Sequence, residues 1–258
     1  MLASLFVLFP MPRLVDGILS EWRIIMIRYS FGVLTLLLLA ASAATAAPPR
    51  HGDRSDDLRQ LRRATEVFTE IMNAPDKGIP TNVLDKAECV AIVPDMSKGG
   101  IGVGGRYGKG VVMCRNGRGW TPPSFLVVEG GSFGLQLGFE KVDLVMLVMN
   151  RHGMEELIND KFTIGADAAA AAGPVGRNTS AETDVKLDAE ILTYSRAKGL
   201  FGGLSLNGAV VKQNRDEIRR FYGKDITAKE ILMDGAVPMP AEARSLESRL
   251  SRTSPEKE

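Results

Sequence analysis

The chain has 258 residues, of which 45% are hydrophobic and 24% are charged, and its mean hydropathy is close to zero. This composition is typical of a globular protein with a real core, and it excludes a chain that is disordered throughout or crosses a membrane many times. The formal net charge of +1 provides no overall positive field, so nucleic-acid binding is not expected.

The start of the chain has the features of an export signal. Residues 26–46 combine a charged start, an apolar run and the small residues Ala44 and Ala46, which is the pattern of a cleaved signal peptide. Residues 1–25 precede Met26, a second plausible start, and are either a mis-annotated start or a long leading region. Cleavage would remove three of the 32 basic and two of the 31 acidic residues, leaving 29 of each. The sequence therefore predicts export to the periplasm or cell envelope of a bacterium.

A polar tether is predicted over 47–57, and an amphipathic helix follows over 58–73. Two interpretations fit this helix. In the first it binds an anionic membrane surface, with arginines at the headgroups and apolar residues in the interface. The candidate lipid-binding residues are then Arg59, Arg62, Arg63, Leu61 and Phe68. In the second it packs on the core and exposes its basic side to water.

The stretch 99–139 holds 13 of the 27 glycines, and bulky residues alternate there with glycine. A period of two is typical of strands, and strands with one bare face can bend sharply. We therefore predict an α+β fold built on a curved, mainly antiparallel, barrel-like sheet with flanking helices. The predicted strands are 89–93, 101–106, 110–115, 124–129, 132–139 and 142–149. A match to the dinucleotide fingerprint begins at Gly100, but no helix follows it, so these glycines are interpreted as structural.

The rest of the chain alternates between helical and extended patterns. Helices are predicted over 152–160, 214–222 and 227–233, and strands over 189–197 and 200–211. The alanine run 168–172 fits either a helix or a thin strand. Beyond 235, prolines and charges indicate a mobile or weakly helical tail over 235–258.

The sequence shows no reaction centre. It contains two histidines, and no cluster has the spacing of a metal site or of a nucleophile with its base, so no catalytic residue, metal or cofactor is predicted. Asp143, inside an apolar strand, is either a paired carboxylate or an acid with a raised pKa that serves catalysis.

Cys89 and Cys114 lie in strand-like segments that could be neighbours. After export they could form a disulfide or remain as two buried thiols, and both alternatives stay open. The basic residues Arg106 and Lys109 fit either an anion-binding surface or charged strand edges that prevent aggregation.

Four sequence blocks resemble the SYLF domain family over 64–232. They are GVGGRYG at 102–108, EGGSFGLQ at 129–136, the pair GAD at 165–167 with AGPVGR at 172–177, and YSRAKGLF at 194–201. The resemblance implies a non-enzymatic, lipid-binding domain, assigned here to 58–234. Its eukaryotic members bind phosphoinositides, and its yeast members also bind actin.

We therefore expect an exported, non-enzymatic protein that binds phospholipid of the phosphoinositide type or another anionic kind at the membrane surface of the envelope. The alternative is a protein-interaction module that binds an envelope protein without lipid. A weaker third hypothesis is an enzyme that uses Asp143.

Overall fold

The computed structural model describes residues 53–74, 78–101, 103–117, 119–133, 138–174, 189–197 and 200–255. The predicted signal peptide, the second start and most of the tether lie outside these residues. So do residues 134–137 of one predicted strand.

The helices and strands follow one another in mixed order along the chain. The helices are α1 (Arg54–Met72), α2 (Thr81–Leu84), α3 (Arg151–Ile158), α4 (Arg215–Tyr222), α5 (Ala228–Leu232) and α6 (Arg244–Thr253), with a 3-10 turn at Ala241–Ala243. The strands are β1 (Cys89–Ile101), β2 (Val103–Cys114), β3 (Ser124–Phe133), β4 (Gly138–Val148), β5 (Lys161–Thr163), β6 (Ala170–Ala172), β7 (Ile191–Ala197), β8 (Leu200–Gly203) and β9 (Val210–Gln213).

The strands form one curled sheet, a half-barrel, in the order β5-β9-β3-β2-β1-β4-β7-β6, and β8 also pairs with β7. All pairings are antiparallel except that of β6 with β7. The predicted α+β fold with a curved, mainly antiparallel sheet is confirmed. The four central strands are longer than predicted, and each exceeds nine residues.

One face of the central strands requires glycine. A Cβ atom at Gly110 would lie 2.6 Å from the carbonyl oxygen of Ile92, and one at Gly108 would lie 2.6 Å from Cγ1 of Val93. Backbone and β-branched side chains cannot yield at that distance. These two glycines therefore let neighbouring strands and their side chains approach closely on one side of the curl.

The prediction of one strand over 200–211 is wrong for its central residues. β8 pairs with β7 near one edge of the sheet, and β9 lies near the other edge. Residues 204–209 cross between them. Leu206 and Ala209 are buried in this crossover, and Gly208 turns the chain with φ of 78°. The alternation of apolar and small residues therefore reflects a buried connection rather than a strand.

The C-terminal segment is ordered against the domain, whereas the sequence predicts a mobile or weakly helical tail. α6 packs against α1 and buries Leu246 and Leu250 completely. Ser254 follows and donates a 2.6 Å hydrogen bond to Asp85. The buried leucines are one helical turn apart, so this helix has the apolar stripe that a packed helix needs.

The other predictions are refined in detail. The alanine run forms the short strand β6 rather than a helix, because it pairs in parallel with the start of β7. α1 begins at Arg54, inside the predicted tether, because Asp53 caps it in a capping box with Asp56.

Candidate functional site

α1 lies across the strands, and ion pairs along its length connect it first to α4 and then to two strands of the sheet. Near its start, Asp57 accepts a 2.9 Å bond from Arg220 of α4. At its middle, Arg63 contacts Asp95 of β1 at 3.3 Å. Near its end, Glu70 pairs with Arg196 of β7. The helix thus crosses the direction of the strands and covers one band of the sheet.

Asp143 belongs to this band and is paired. Its carboxylate accepts a 2.6 Å bond from Nη2 of Arg196 and a 3.0 Å bond from the backbone N–H of Asp95. Arg63 lies 4.0 Å away. Asp95 adopts φ of 48°, so the carboxylate also holds a left-handed residue where the register of β1 shifts. Of the two interpretations of Asp143, the structure therefore supports the paired carboxylate, because two cations and a backbone N–H surround its oxygens.

The residues predicted on α1 for membrane insertion face inwards. Leu61 and Phe68 are 1% and 0% exposed, and they lie in the main core. The interpretation that they enter a membrane interface is therefore wrong, because the sheet already covers them. The apolar side of α1 is a core-packing face, as in the second interpretation.

The three arginines of α1 differ in their surroundings. Arg59 pairs with Asp56 on its own helix, and Arg63 bonds Asp95 of β1 and Glu66. Arg62 is exposed and has no ion pair or hydrogen bond among the described residues. Of these three arginines, Arg62 alone presents to solvent a charge that no described residue pairs.

Arg106 and Lys109 lie on opposite faces of β2, because they are three residues apart on one strand. Arg106 donates a 3.3 Å bond to the carbonyl of Ser205 and so holds the crossover. Burial lowers the pKa of Arg106. Lys109, on the side of α1, lies 3.7 Å from Glu217 of α4. The structure therefore does not bring these two candidates into one site.

Glu217 and Asp57 form a buried acidic pair that no sequence pattern predicts. They are 1% and 0% exposed. Desolvation is the main cause that raises the pKa of Glu217 to about 7, and the charge of Asp57 raises it further, against the opposing effects of Lys109 and Arg220. The two acids are far apart in sequence, so their meeting depends on the fold.

The four central strands extend beyond the band that α1 covers. We call the described residues 97–101, 103–107, 129–133 and 138–141 the sheet end. Here lie the two large hydrophobic residues that are exposed within the described chain, Tyr107 at 50% and Phe139 at 93%. Lys98 and Lys141 flank them, without a hydrogen bond or ion pair to any described residue. Among the described residues, the sheet end therefore presents exposed aromatic and charged groups, with Glu140 paired directly with Lys98 in the strand register.

The position of these groups follows from the strand register. Tyr107 pairs with Ser97, and Ser97 pairs with Lys141 on its other side. Directly paired side chains share a face, and so do residues two apart on one strand. Tyr107, Lys141 and Phe139 therefore lie on the same face, the one that α1 covers further along. Lys98 lies on the opposite face.

Cys89 and Cys114 are joined by a disulfide at directly paired positions of β1 and β2. Within the described residues no group of three or more histidine, cysteine or acidic side chains has the geometry to hold a metal ion. None of the described helices is long and apolar enough to cross a membrane.

The chain matches a known family over its second half. The model of the Ysc84 family, described as Las17-binding protein actin regulator, matches residues 129–253. This range runs from β3 to the end of α6, so it includes part of the sheet end.

Several curated relatives match a longer stretch. SH3 domain-containing YSC84-like protein 1 of Rattus norvegicus is 34% identical over 202 residues, which are 77% of this chain and 59% of the relative. The protein of that name in Homo sapiens is 34% identical, with 77% and 58% covered. LAS seventeen-binding protein 3 of Saccharomyces cerevisiae is 34% identical over 181 residues, with 67% and 39% covered.

The chain spans less than two thirds of each of these relatives. All of them are named as binding or domain-containing proteins, and none of the three names states an enzymatic activity. The chain therefore carries a domain of the Ysc84 family, the SYLF domain that its glycine-rich blocks predict.

Proposed function

We propose that this protein is an exported, non-enzymatic module that binds the surface of anionic phospholipid membranes in the bacterial cell envelope. The observation that carries the proposal is the sheet end, where Phe139 and Tyr107 are exposed beside Lys141. Lys98, half-exposed on the opposite face of β1, adds a second cation at the sheet end.

The free energies of burial and of electrostatic attraction favour reversible attachment to a membrane. Transfer of one exposed phenylalanine side chain out of water is worth about 1.5–3 kcal/mol, and each lysine near an anionic surface contributes about 1 kcal/mol. Tyrosine prefers the interface itself, because its ring is apolar and its hydroxyl stays hydrated. Together these terms support peripheral binding that salt weakens, and they do not require a membrane-spanning segment.

Two contacts support a role without catalysis. Asp143, the buried acid in the apolar strand, is neutralised by Arg196 and held by a backbone N–H. His152 lies on the exposed start of α3 and pairs with Glu190. Both groups therefore have structural partners that account for them.

The alternative is a protein-interaction module. The family description and one relative's name refer to binding of a protein, Las17. In that case the exposed aromatics of the sheet end would contact a protein partner, and membranes would not compete for them.

Co-sedimentation with vesicles tests the proposal on the full chain. We expect binding to vesicles that contain phosphatidylglycerol, and little binding to pure phosphatidylcholine. Replacing both Lys98 and Lys141 by Glu should abolish it. The matched control replaces Arg249 and Arg252, exposed on α6, by Glu and should bind normally. Failure to bind anionic vesicles at low salt would overturn the lipid proposal and favour the protein-interaction module.

A further inference from the structure

One row of residues crosses the sheet end on the face of Phe139. Gly131 of β3 pairs with Gly105 of β2, which pairs with Gly99 of β1, which pairs with Phe139 of β4. We call these four residues the glycine row. Because paired positions share a face, the row presents one aromatic ring and three positions without side chains.

The fold does not explain two of these glycines. At Gly105 the nearest atom to an added Cβ would be the carbonyl oxygen of Gly130, at 3.9 Å, and at Gly131 nothing lies within 4 Å. Neither residue has a positive φ. Gly110, on the other face, would bring an added Cβ to 2.6 Å from backbone. Packing thus requires glycine at Gly110 but leaves open space at Gly105 and Gly131.

Glycine within a strand weakens it, so glycine where a side chain would fit needs another cause. One established cause is the close approach of a ligand to the backbone. At the sheet end that approach would be towards a bare strip next to Phe139, whose ring is 93% exposed. Lys141 stands in the next row on the same face.

We infer that the glycine row is a membrane-contact platform. Phe139 enters the boundary between headgroups and acyl chains, and the bare backbone of the row lets phospholipid headgroups pack directly against the strands. The inference rests on the proposed function, and it adds which surface enters the bilayer and at which end of the sheet.

The dimensions of the sheet agree with this orientation. Asp143 lies in the band beneath α1 and is four residues from Phe139 on the same strand, which corresponds to roughly 13 Å at about 3.3 Å per residue. Interfacial segments enter a bilayer by about 5–10 Å. Phe139 can therefore reach that depth while α1 stays above the headgroups. Lys141 then lies at the level of the lipid phosphates.

A fluorescent label in the glycine row tests how deeply position 139 enters the bilayer. Phe139→Cys can be labelled specifically, because Cys89 and Cys114 are bonded to each other. A polarity-sensitive dye is apolar and takes the place of the ring at this position, so the labelled protein should still bind vesicles containing phosphatidylglycerol and its emission should shift to the blue. The matched control, Ser245→Cys on the exposed side of α6, should not respond. If the labelled protein sediments with vesicles but its emission is unchanged, the platform is wrong and the proposed function stands.

A second variant tests the bare strip. Gly131→Gln adds a long polar side chain in open space, and we expect about tenfold weaker vesicle binding with unchanged thermal stability. Gly202→Gln is the control, because Gly202 of β8 also has nothing within 4 Å of an added Cβ and lies outside the row. Native binding by Gly131→Gln would overturn the platform. Absence of vesicle binding in the unmodified chain would instead reject the proposed function.

Discussion

Asp57 and Glu217 bring two carboxyl groups together inside the protein, from the first turns of α1 and α4. Arg220 contacts Asp57 at 2.9 Å, and Lys109 contacts Glu217 at 3.7 Å. Glu217 is protonated more readily than an ordinary glutamate, because it is desolvated beside a second acid. This pair joins the start of α1, α4 and β2, so its ionisation bears on the stability of the whole domain.

The acidic pair predicts that stability falls as the pH rises from about 4.5 to about 7. The folded protein has a pKa of about 7 at Glu217 against a reference value of 4.5, so it binds more protons than the unfolded chain in that window. The loss amounts to about 3 kcal/mol across the window. Urea denaturation at pH 5 and pH 8 measures it.

Glu217→Gln should remove this part of the pH dependence and make the protein more stable than the native chain at pH 8. Glu140→Gln, at an exposed site on β4, is the control and should keep the native slope. An unchanged slope in Glu217→Gln would show that the pair does not titrate in this window.

Asp143→Asn separates the structural from the catalytic interpretation of this residue. The change leaves Arg196 and Arg63 without their shared charge partner, and we expect a loss of about 2–3 kcal/mol in the free energy of unfolding. Vesicle binding should survive at temperatures where the variant is folded. Asp160→Asn, whose partner Arg215 is exposed, should cost less than about 0.5 kcal/mol. A variant with native stability would contradict the described network.

Gly173→Ala should destabilise the domain strongly. An added Cβ would lie 2.1 Å from Cζ of Tyr194, and that ring is completely buried in β7. Overpacking of this kind costs about 1–3 kcal/mol, which thermal denaturation would detect. Gly202→Ala, in open space on β8, should change stability by less than about 0.5 kcal/mol. Equal melting temperatures for the two variants would refute the close contact.

Phe68→Ala and Phe139→Ala make the same chemical change with opposite expected results. Phe68 is completely buried, so its truncation should cost about 3–5 kcal/mol of stability. Phe139 is 93% exposed, so its truncation should leave stability within about 0.5 kcal/mol of native and weaken vesicle binding. Denaturation and co-sedimentation of both variants give the comparison. Native vesicle binding by Phe139→Ala would contradict its role as the anchor.

Local patterns predicted the sheet well, because alternation reports directly on the two faces of a strand. The same alternation does not show on which face of a strand the packing requires glycine. Gly105 and Gly110 have similar sequence surroundings. Of the two, only Gly110 is a position where an added Cβ would collide with the backbone of β1. The segment 204–209 alternates like a strand, but its direction is set by pairing partners far away in the chain.

The candidate site was predicted less well, because charge partners come from distant segments. Arg62 and Arg63 are adjacent in sequence, and the acids near Arg63 distinguish them, of which Asp95 and Asp143 come from distant strands. Phe139 ended a predicted strand, and nothing in the sequence indicated that its ring is uncovered. For α6 a signal was present, since Leu246 and Leu250 have helical spacing that the prediction of a mobile tail overlooked.

The crossover 204–209 has a consequence for how the domain assembles. It links β8 to β9, which lie towards opposite edges of the sheet with β3, β2, β1 and β4 between β9 and β7. The strands near both edges must therefore pair at nearly the same stage of folding. The half-barrel then forms in one step rather than by the addition of one strand after another. Such distant pairings favour slow, highly cooperative folding. A nick within the crossover would let the two edges separate independently.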